Sequence, residues 1–188
     1  MKASKLKATG ALVLAVAMLF AGCARVKEEP PVELASLKIA DDTAFYTALS
    51  EIDIAESDTN VMENTAFKFT GSDAQFNVII SIDAKSDIGN VYSYTRCADE
   101  ATAKALFDYY FYTYSSVLES ENFTGAKGYK VFDNYAYLLI SGACDNMPYH
   151  DALYLLGDTV VVAFEGAGDP DNKKEIDAFL ESLGYPAP

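Results

Sequence analysis

The chain has 188 residues, of which 51% are hydrophobic and 13% aromatic, so a packed core is expected rather than a disordered chain. Its formal net charge is −14 at pH 7. Such an acidic surface repels the phosphates of nucleic acids and anionic lipid headgroups, which argues against nucleic-acid binding and against membrane attachment through a basic patch.

The N-terminal segment has the order of features that is typical of a secretory signal peptide. Lys2, Lys5 and Lys7 precede an apolar run at residues 11–21, which ends in small residues. This run has about 11 residues, whereas a helix that spans a bilayer needs about 20, so it is too short for a transmembrane anchor. Residues 1–22 are therefore predicted to be a signal peptide that is removed from the mature protein.

The predicted cleavage site carries a second signal. The sequence Ala21-Gly22-Cys23, with Phe20 where Leu is usual, resembles the lipobox of bacterial lipoproteins. The resemblance implies that Cys23 receives a diacylglyceryl group and that signal peptidase II cuts before it. It also implies that the lipid anchors the protein in the cell membrane, at its extracytoplasmic face or on the periplasmic side of an envelope membrane. Two or more acyl chains are sufficient for stable anchoring. The alternative is an ordinary secretory peptide that ends near a cysteine.

Residues 23–40 are predicted to form a lipidated tether, and residues 41–188 a single α+β domain. Pro30-Pro31 disfavour a helix in the tether, because proline fixes its own φ and restricts the preceding residue. Without the signal peptide the chain has 11 basic and 28 acidic residues, which gives a net charge of −17. We interpret this excess as a solubilising surface rather than a cation-binding one.

The first half of the domain is predicted to contain a short helix, three strands and a long helix. The short helix spans residues 42–53 with Asp42 as its N-cap, and a polar loop follows at residues 56–64. The strands are predicted at residues 66–70, 75–83 and 90–97. The long helix begins at Asp99 and ends near Glu119, and its apolar stripe consists of Ala103, Phe107, Tyr110, Tyr114 and Val117.

The second half is predicted to contain two hairpins. A glycine-containing loop at residues 125–128 precedes the first hairpin. Its strands, at residues 129–132 and 135–141, flank the turn Asp133-Asn134. The second hairpin has strands at residues 152–156 and 159–165 around the turn Gly157-Asp158.

The closing helix is marked by Asp169 as cap, Pro170 at the first helical position and Gly184 after the last apolar residue. The order of elements is then α-βββ-α-ββββ-α. Because hairpins dominate, this order predicts an α+β fold in which three helices cover a mainly antiparallel sheet of about seven strands.

The candidate reactive groups of the sequence are two cysteines and the single histidine. Cys97 and Cys144 are the cysteines that remain after Cys23 is acylated, and an even pair in an exported domain favours a disulfide over two buried free thiols. The spacing of Cys144 and His150 could suggest a thiol nucleophile with its base, but no nucleophile signature surrounds Cys144. His150 is instead expected to lie in a surface loop. No cofactor or metal motif is present in the sequence.

Residues 107–114 hold six aromatic side chains in eight positions. Because successive helical residues turn by about 100°, they cannot all face the core, and Tyr109 and Tyr112 are expected at the flank or outside. Tyr92 and Tyr94 alternate on a strand and are predicted to extend the same surface. This could be an aromatic platform for a ligand. The alternative is a sheet-covering helix whose tyrosine hydroxyls stay in contact with water.

Together these features favour a membrane-anchored extracytoplasmic lipoprotein that acts as a non-enzymatic binding or interaction module. Its ligand would be a peptide, a cell-wall fragment or an envelope protein. Two alternatives remain: an enzyme with a carboxylate and tyrosine site, and an accessory subunit of an envelope complex. An enzyme should place perturbed carboxylates in a concave pocket, whereas a binder should expose a tyrosine-lined patch.

Overall fold

The structure is a computed structural model that describes residues 37–69, 74–132, 134–166 and 171–188. The predicted signal peptide, Cys23 and most of the predicted tether lie outside the described residues. No helix within these ranges has the length and hydrophobicity needed to cross a membrane.

Four helices and seven strands make up the described domain. The helices are α1 (Asp42–Glu51), α2 (Glu100–Thr113), α3 (Ser115–Glu119) and α4 (Asn172–Leu183), and a 3-10 turn spans Glu56–Asp58. The strands are β1 (Asn60–Phe67), β2 (Phe76–Lys85), β3 (Val91–Cys97), β4 (Phe123–Val131), β5 (Tyr135–Cys144), β6 (Met147–Leu156) and β7 (Thr159–Phe164).

The strands form one open sheet in the order β1-β2-β3-β7-β6-β5-β4, and each neighbouring pair is antiparallel. This confirms the predicted α+β class, the antiparallel sheet and the order of the main elements. The strands β1 and β4 lie at the two edges of the sheet.

Helices cover both faces of the sheet. Because side chains alternate along a strand, Tyr137 and Leu139 of β5 face α1 and α4, while Leu138 and Ile140 face α2. We call these the α1–α4 face and the α2 face. Each holds a buried cluster, centred on Phe45 and Phe179 on the first and on Phe107 on the second. Burial of such a side chain contributes about 1.5–3 kcal/mol.

Two predicted helix ends, at Asp99 and Gly184, agree with the structure, whereas the N-cap of the first helix does not. Asp99 accepts a hydrogen bond from the backbone N of Thr102 at 2.7 Å, as a cap should, and Gly184 ends α4 with φ +72°. The N-cap of α1 is Asp41, which accepts from the backbone N of Ala44 at 2.8 Å, so the prediction of Asp42 is wrong by one residue. Both residues are aspartates, which have similar preferences for this position. The closing helix α4 begins at Asn172 with Asp171 as its N-cap residue, two residues later than predicted; the predicted cap Asp169 and Pro170 themselves lie outside the described residues.

Two predicted loops are strands in the structure. The segment predicted as a polar loop at residues 56–64 contains the 3-10 turn and the first five residues of β1, whose pairing with β2 outweighs their polar composition. Residues 125–128 lie inside β4. Gly125 there faces Gly142 of β5, and a Cβ on Gly125 would lie 2.2 Å from the Ser141 carbonyl oxygen. The glycines thus allow close strand contact instead of marking a turn.

The long predicted helix is divided at Tyr114, where α2 ends and α3 begins.

Near the C-terminus of the described domain, the Tyr185 hydroxyl donates to the Lys38 carbonyl and accepts from the Ala40 backbone N, both at 3.0 Å. These bonds attach residues 38–40 to the domain.

Candidate functional site

Tyr92 and Tyr94 do not belong to an exposed aromatic surface, so that part of the prediction is wrong. Both lie in the core of the α1–α4 face. The Tyr92 ring packs 4.5 Å from Phe179, and its hydroxyl donates to Glu175 at 2.7 Å. The two tyrosines share one face as their alternation predicts, but the helices over them are α4 at Tyr92 and α1 at Tyr94, on the opposite side of the sheet from α2.

The aromatic residues of α2 point in several directions. Phe107 is buried beneath the helix. Tyr109 is half-buried and stacks on Phe69 with a centroid distance of 4.1 Å. Phe111 lies on the other flank and contacts Tyr129 of β4 at 5.2 Å. Tyr112 is 78% exposed. The predicted exposure is therefore correct for Tyr112, whereas Tyr109 is largely used in packing.

A surface that the sequence analysis missed lies along β4. Tyr129 is 54% exposed, Val131 42% and Phe132 57%. Phe111 supports the Tyr129 ring from α2. We call Lys127, Tyr129, Lys130, Val131 and Phe132, together with their backbone, the β4 edge. The sequence signal for this surface is the alternation of Tyr129 and Val131 with lysines. It was missed because residues 125–128 were predicted as a loop and residues 129–132 as a short strand.

The backbone of β4 is paired on one side only among the described residues, because β4 is last in the strand order. Phe132 N donates to the Tyr135 carbonyl at 2.8 Å, which places Phe132 and Tyr135 in a hydrogen-bonded pair. Such pairs alternate with non-bonded ones in an antiparallel ladder. The N–H and C=O groups of Lys127, Tyr129 and Val131 therefore point away from β5, towards the open edge.

The charges along β4 are exclusively positive. Lys127 and Lys130 are the charged residues of Phe123–Val131. The Lys127 ammonium donates to the Leu118 carbonyl and lies 5.1 Å from the Phe123 ring centroid. Lys130 is exposed and has no carboxylate partner within the described part of the chain. In a protein with a large excess of acids, this edge is locally basic.

His150 is the centre of a polar chain, and the prediction that it lies in a surface loop is wrong. It is 3% exposed on β6. The Ser141 hydroxyl lies 3.0 Å from its Nδ1, and Asp177 of α4 lies 2.7 Å from its Nε2. Hydroxyl, imidazole and carboxylate are the groups of a hydrolytic triad. However, Ser141 lies within β5 between two paired strands. The backbone there belongs to the ladder and leaves no pair of free N–H groups for an oxyanion. The hydrogen bonds of His150 to Ser141 and Asp177 instead connect α4 to the sheet.

Neither cysteine is arranged as a nucleophile. Burial raises the pKa of the Cys97 thiol to about 12, which disfavours the reactive thiolate. His150 is bonded to Ser141 and Asp177 rather than to Cys144, while the Cys144 sulfur lies 4.0 Å from an oxygen of Asp145.

The predicted disulfide between Cys97 and Cys144 is wrong, since both are buried free thiols. The topology explains this result. Cys97 lies beside Asp158, at the β6–β7 turn, whereas Cys144 pairs with Met147 at the opposite end of β6. The ten residues of β6 span roughly 30 Å, whereas disulfide-bonded cysteines have Cα atoms about 4.4–6.8 Å apart.

A carboxylate and tyrosine pair is buried behind α2. Asp151 accepts hydrogen bonds from the Tyr114 hydroxyl at 2.9 Å and from Glu165 N at 2.7 Å. Burial raises the pKa of Asp151 to about 6. Burial also raises the pKa of Asp83, which a hydrogen bond from Ser93 opposes. Open depressions at α1, at the end of α4 and beside β1 are lined by other residues. No group of three potential metal ligands occurs among the described residues.

Comparisons of the chain with protein-family models, with curated proteins and with solved structures find no match.

Proposed function

We propose that the protein is a lipid-anchored extracytoplasmic binding module that holds a partner protein against the β4 edge. The observation that carries this proposal is the grouping of exposed Tyr129, Val131 and Phe132 along a strand whose outer side is unpaired among the described residues. Clustered apolar side chains at a surface are typical of interaction sites, whereas singly scattered ones are ordinary. Tyrosine is also enriched in protein interfaces.

The location of the proposed activity depends on the N-terminal sequence. Three lysines, a short apolar run and Ala21-Gly22-Cys23 support export and acylation of Cys23. A lipid anchor would hold the domain at the extracytoplasmic face of a membrane, within reach of envelope proteins. Cys23→Ala is expected to release the protein into the medium or periplasm, as measured by fractionation and immunoblotting. Retention of this variant in the membrane fraction would contradict lipid anchoring.

The runner-up function is an enzyme, and the specific observation in its favour is the Asp151–Tyr114 pair. An enzyme needs its carboxylate in reach of substrate. Asp151 and Tyr114 are both buried between α2 and the sheet, and their bonds are to each other and to Glu165 N. These hydrogen bonds stabilise the fold. Neither side chain lines the depressions at α1, at the end of α4 or beside β1. Binding at the β4 edge therefore accounts for more of the geometry than catalysis does.

The test of the binding proposal is recovery of partners by the intact lipoprotein. Native envelopes are treated with a short crosslinker, and the protein is purified in detergent. We compare the unaltered protein with Tyr129→Ser, and with Val61→Ser as the matched control, because Val61 is exposed on the opposite edge strand β1. A defined protein recovered with the unaltered chain and Val61→Ser, but lost with Tyr129→Ser, is expected. Equal recovery with both variants, or none with the unaltered chain, would contradict the proposal.

A further inference from the structure

We infer that the occupant of the β4 edge is an acidic extended segment of the partner, which adds to the sheet as an eighth strand. This inference rests on the proposed function and specifies the chemistry of the partner. Addition of a strand to an open edge is an established mode of peptide recognition, in which backbone bonds supply affinity and alternate side chains supply specificity.

The backbone of β4 is suited to this mode. Lys127, Tyr129 and Val131 each direct one N–H and one C=O group away from β5, as the bonded pair of Phe132 and Tyr135 establishes. Their spacing of two residues is that of a continuous ladder. An incoming strand can therefore bond at every second residue of β4 without disturbing its pairing with β5.

The side chains of β4 specify what the incoming strand should carry. Tyr129 and Val131 lie on the α2 face, where Phe111 contacts the Tyr129 ring, so residues opposite them should be apolar or aromatic. Lys130 is on the other face and has no carboxylate partner within the described residues. The residue opposite Lys130 should therefore be Asp or Glu. The expected ligand therefore carries apolar residues opposite Tyr129 and Val131 and an acidic residue between them, opposite Lys130.

Pairing with β4 of a second copy is disfavoured by the same lysines in the registers centred on them. The outward backbone groups of Lys127, Tyr129 and Val131 must bond to one another in such a pair, so it is centred on a residue. Pairing centred on Lys127 or on Lys130 places that lysine opposite itself. Like charges directly across a strand pair are destabilising, and lysines on edge strands commonly prevent self-association. An acidic strand meets no such repulsion.

The other edge of the sheet is less suited to an acidic segment. The charged residue of β1 is Glu63, which would repel it. The adjoining Asn64 has φ +45°, in the left-handed region, and so departs from extended backbone geometry in the middle of the strand. The β4 edge is thus favoured by both charge and backbone geometry.

The test uses the full-length lipoprotein in detergent and synthetic peptides of nine residues, the length of β4. The probe is a fluorescent peptide that alternates Glu with Val and Tyr, and its counterpart has Lys in place of every Glu. Fluorescence anisotropy measures binding. We expect the Glu peptide to bind at least tenfold more tightly than the Lys peptide, with affinity falling as salt is raised.

Charge reversal tests the role of Lys130. Lys130→Glu should weaken binding of the Glu peptide about tenfold, because one attraction is replaced by one repulsion. Lys85→Glu is the matched control, since Lys85 is also exposed but lies at the end of β2, and it should change the affinity by less than about twofold. Tyr129→Pro removes an N–H that points away from β5, a position where an edge strand tolerates proline. It should abolish peptide binding, and Lys130→Glu remains informative if this variant does not fold.

Several results would overturn the inference. These are equal binding of the two peptides, an unchanged affinity in Lys130→Glu, and crosslinking of Tyr129 to a second copy in place of a partner. If envelope partners still depend on Tyr129 while neither peptide binds, strand addition by an acidic segment is wrong and the binding function stands. If partner recovery is also independent of Tyr129, both proposals are wrong.

Discussion

Replacement of Asp151 by asparagine should make the protein more stable at neutral pH. Asp151 is buried between β6 and α2, and it accepts hydrogen bonds from the Tyr114 hydroxyl and from Glu165 N. Asparagine has nearly the same shape. Its carbonyl oxygen can accept from Glu165 N, and its amide can donate to the Tyr114 oxygen. The change therefore removes a buried charge while hydrogen bonding at both positions is retained.

The expected gain follows from the pKa of Asp151. Burial raises this pKa from 3.8 to about 6, and each pKa unit is worth about 1.36 kcal/mol. Ionisation of Asp151 in the folded state therefore costs about 3 kcal/mol above pH 6. Because the folded pKa is above the unfolded one, this cost disappears as the pH falls from about 6 to below 3.8. Asp151→Asn should gain about 3 kcal/mol at pH 7–8 and less than about 1 kcal/mol at pH 4.

The assay is urea unfolding followed by far-ultraviolet circular dichroism between pH 4 and 8, since the chain has no tryptophan. A gain of about 3 kcal/mol should raise the midpoint by 1 M urea or more. Asp87→Asn is the control for loss of one negative charge, because Asp87 is exposed. It should change the unfolding free energy by less than about 0.5 kcal/mol. A stability gain of Asp151→Asn that does not vary with pH, or no gain at pH 7–8, would refute the reasoning.

Three further predictions concern the packing of the sheet. Intact mass should be unchanged on reduction of the unfolded protein, since Cys97 and Cys144 lie at opposite ends of the sheet; a gain of two hydrogens would contradict the strand order. Gly142→Ala should lower the unfolding free energy by about 3 kcal/mol or more, because its Cβ would lie 2.2 Å from the Thr124 carbonyl oxygen. Gly128→Ala should have little effect, since its nearest neighbour is 4.0 Å away, and equal losses in the two variants would disprove the close strand contact. His150→Ala should lower the free energy of unfolding by about 2 kcal/mol or more in urea. The loss should exceed that of Asp177→Ala, because the Asp177 side chain is 50% exposed. A larger loss in Asp177→Ala would show that the buried imidazole is not the central member of the Ser141–His150–Asp177 hydrogen bonds.

Local signals in the sequence were sufficient to predict the order of the main helices and strands. Gly157-Asp158 between two apolar runs identified the β6–β7 hairpin, and Asp99 and Gly184 marked helix ends. These residues act through bonds to near neighbours, so their effect can be inferred from sequence. Asn60–Asn64 and Gly125–Gly128 were misjudged because their strand pairing is decided by β2 and β5, which are distant in the sequence.

The candidate site was harder to predict because it depends on which helix covers which face. Tyr92 and Tyr94 share one face, as alternation requires, but the sequence does not say that α1 and α4 cover it. His150 appeared to belong in a loop because it follows Pro148-Tyr149, yet its partners Ser141 and Asp177 come from β5 and α4. The β4 edge emerges only when the strand order places β4 last.

The most direct test of the account is site-specific photo-crosslinking in native envelopes. A photoreactive phenylalanine analogue replaces Tyr129 at the β4 edge or, as control, Val61 on β1, in the full-length lipoprotein. We predict one discrete crosslinked partner protein from position 129 and none from position 61. Identical crosslinks from both positions, or none from position 129 while the protein is folded and anchored, would contradict the claim that the β4 edge is the binding surface.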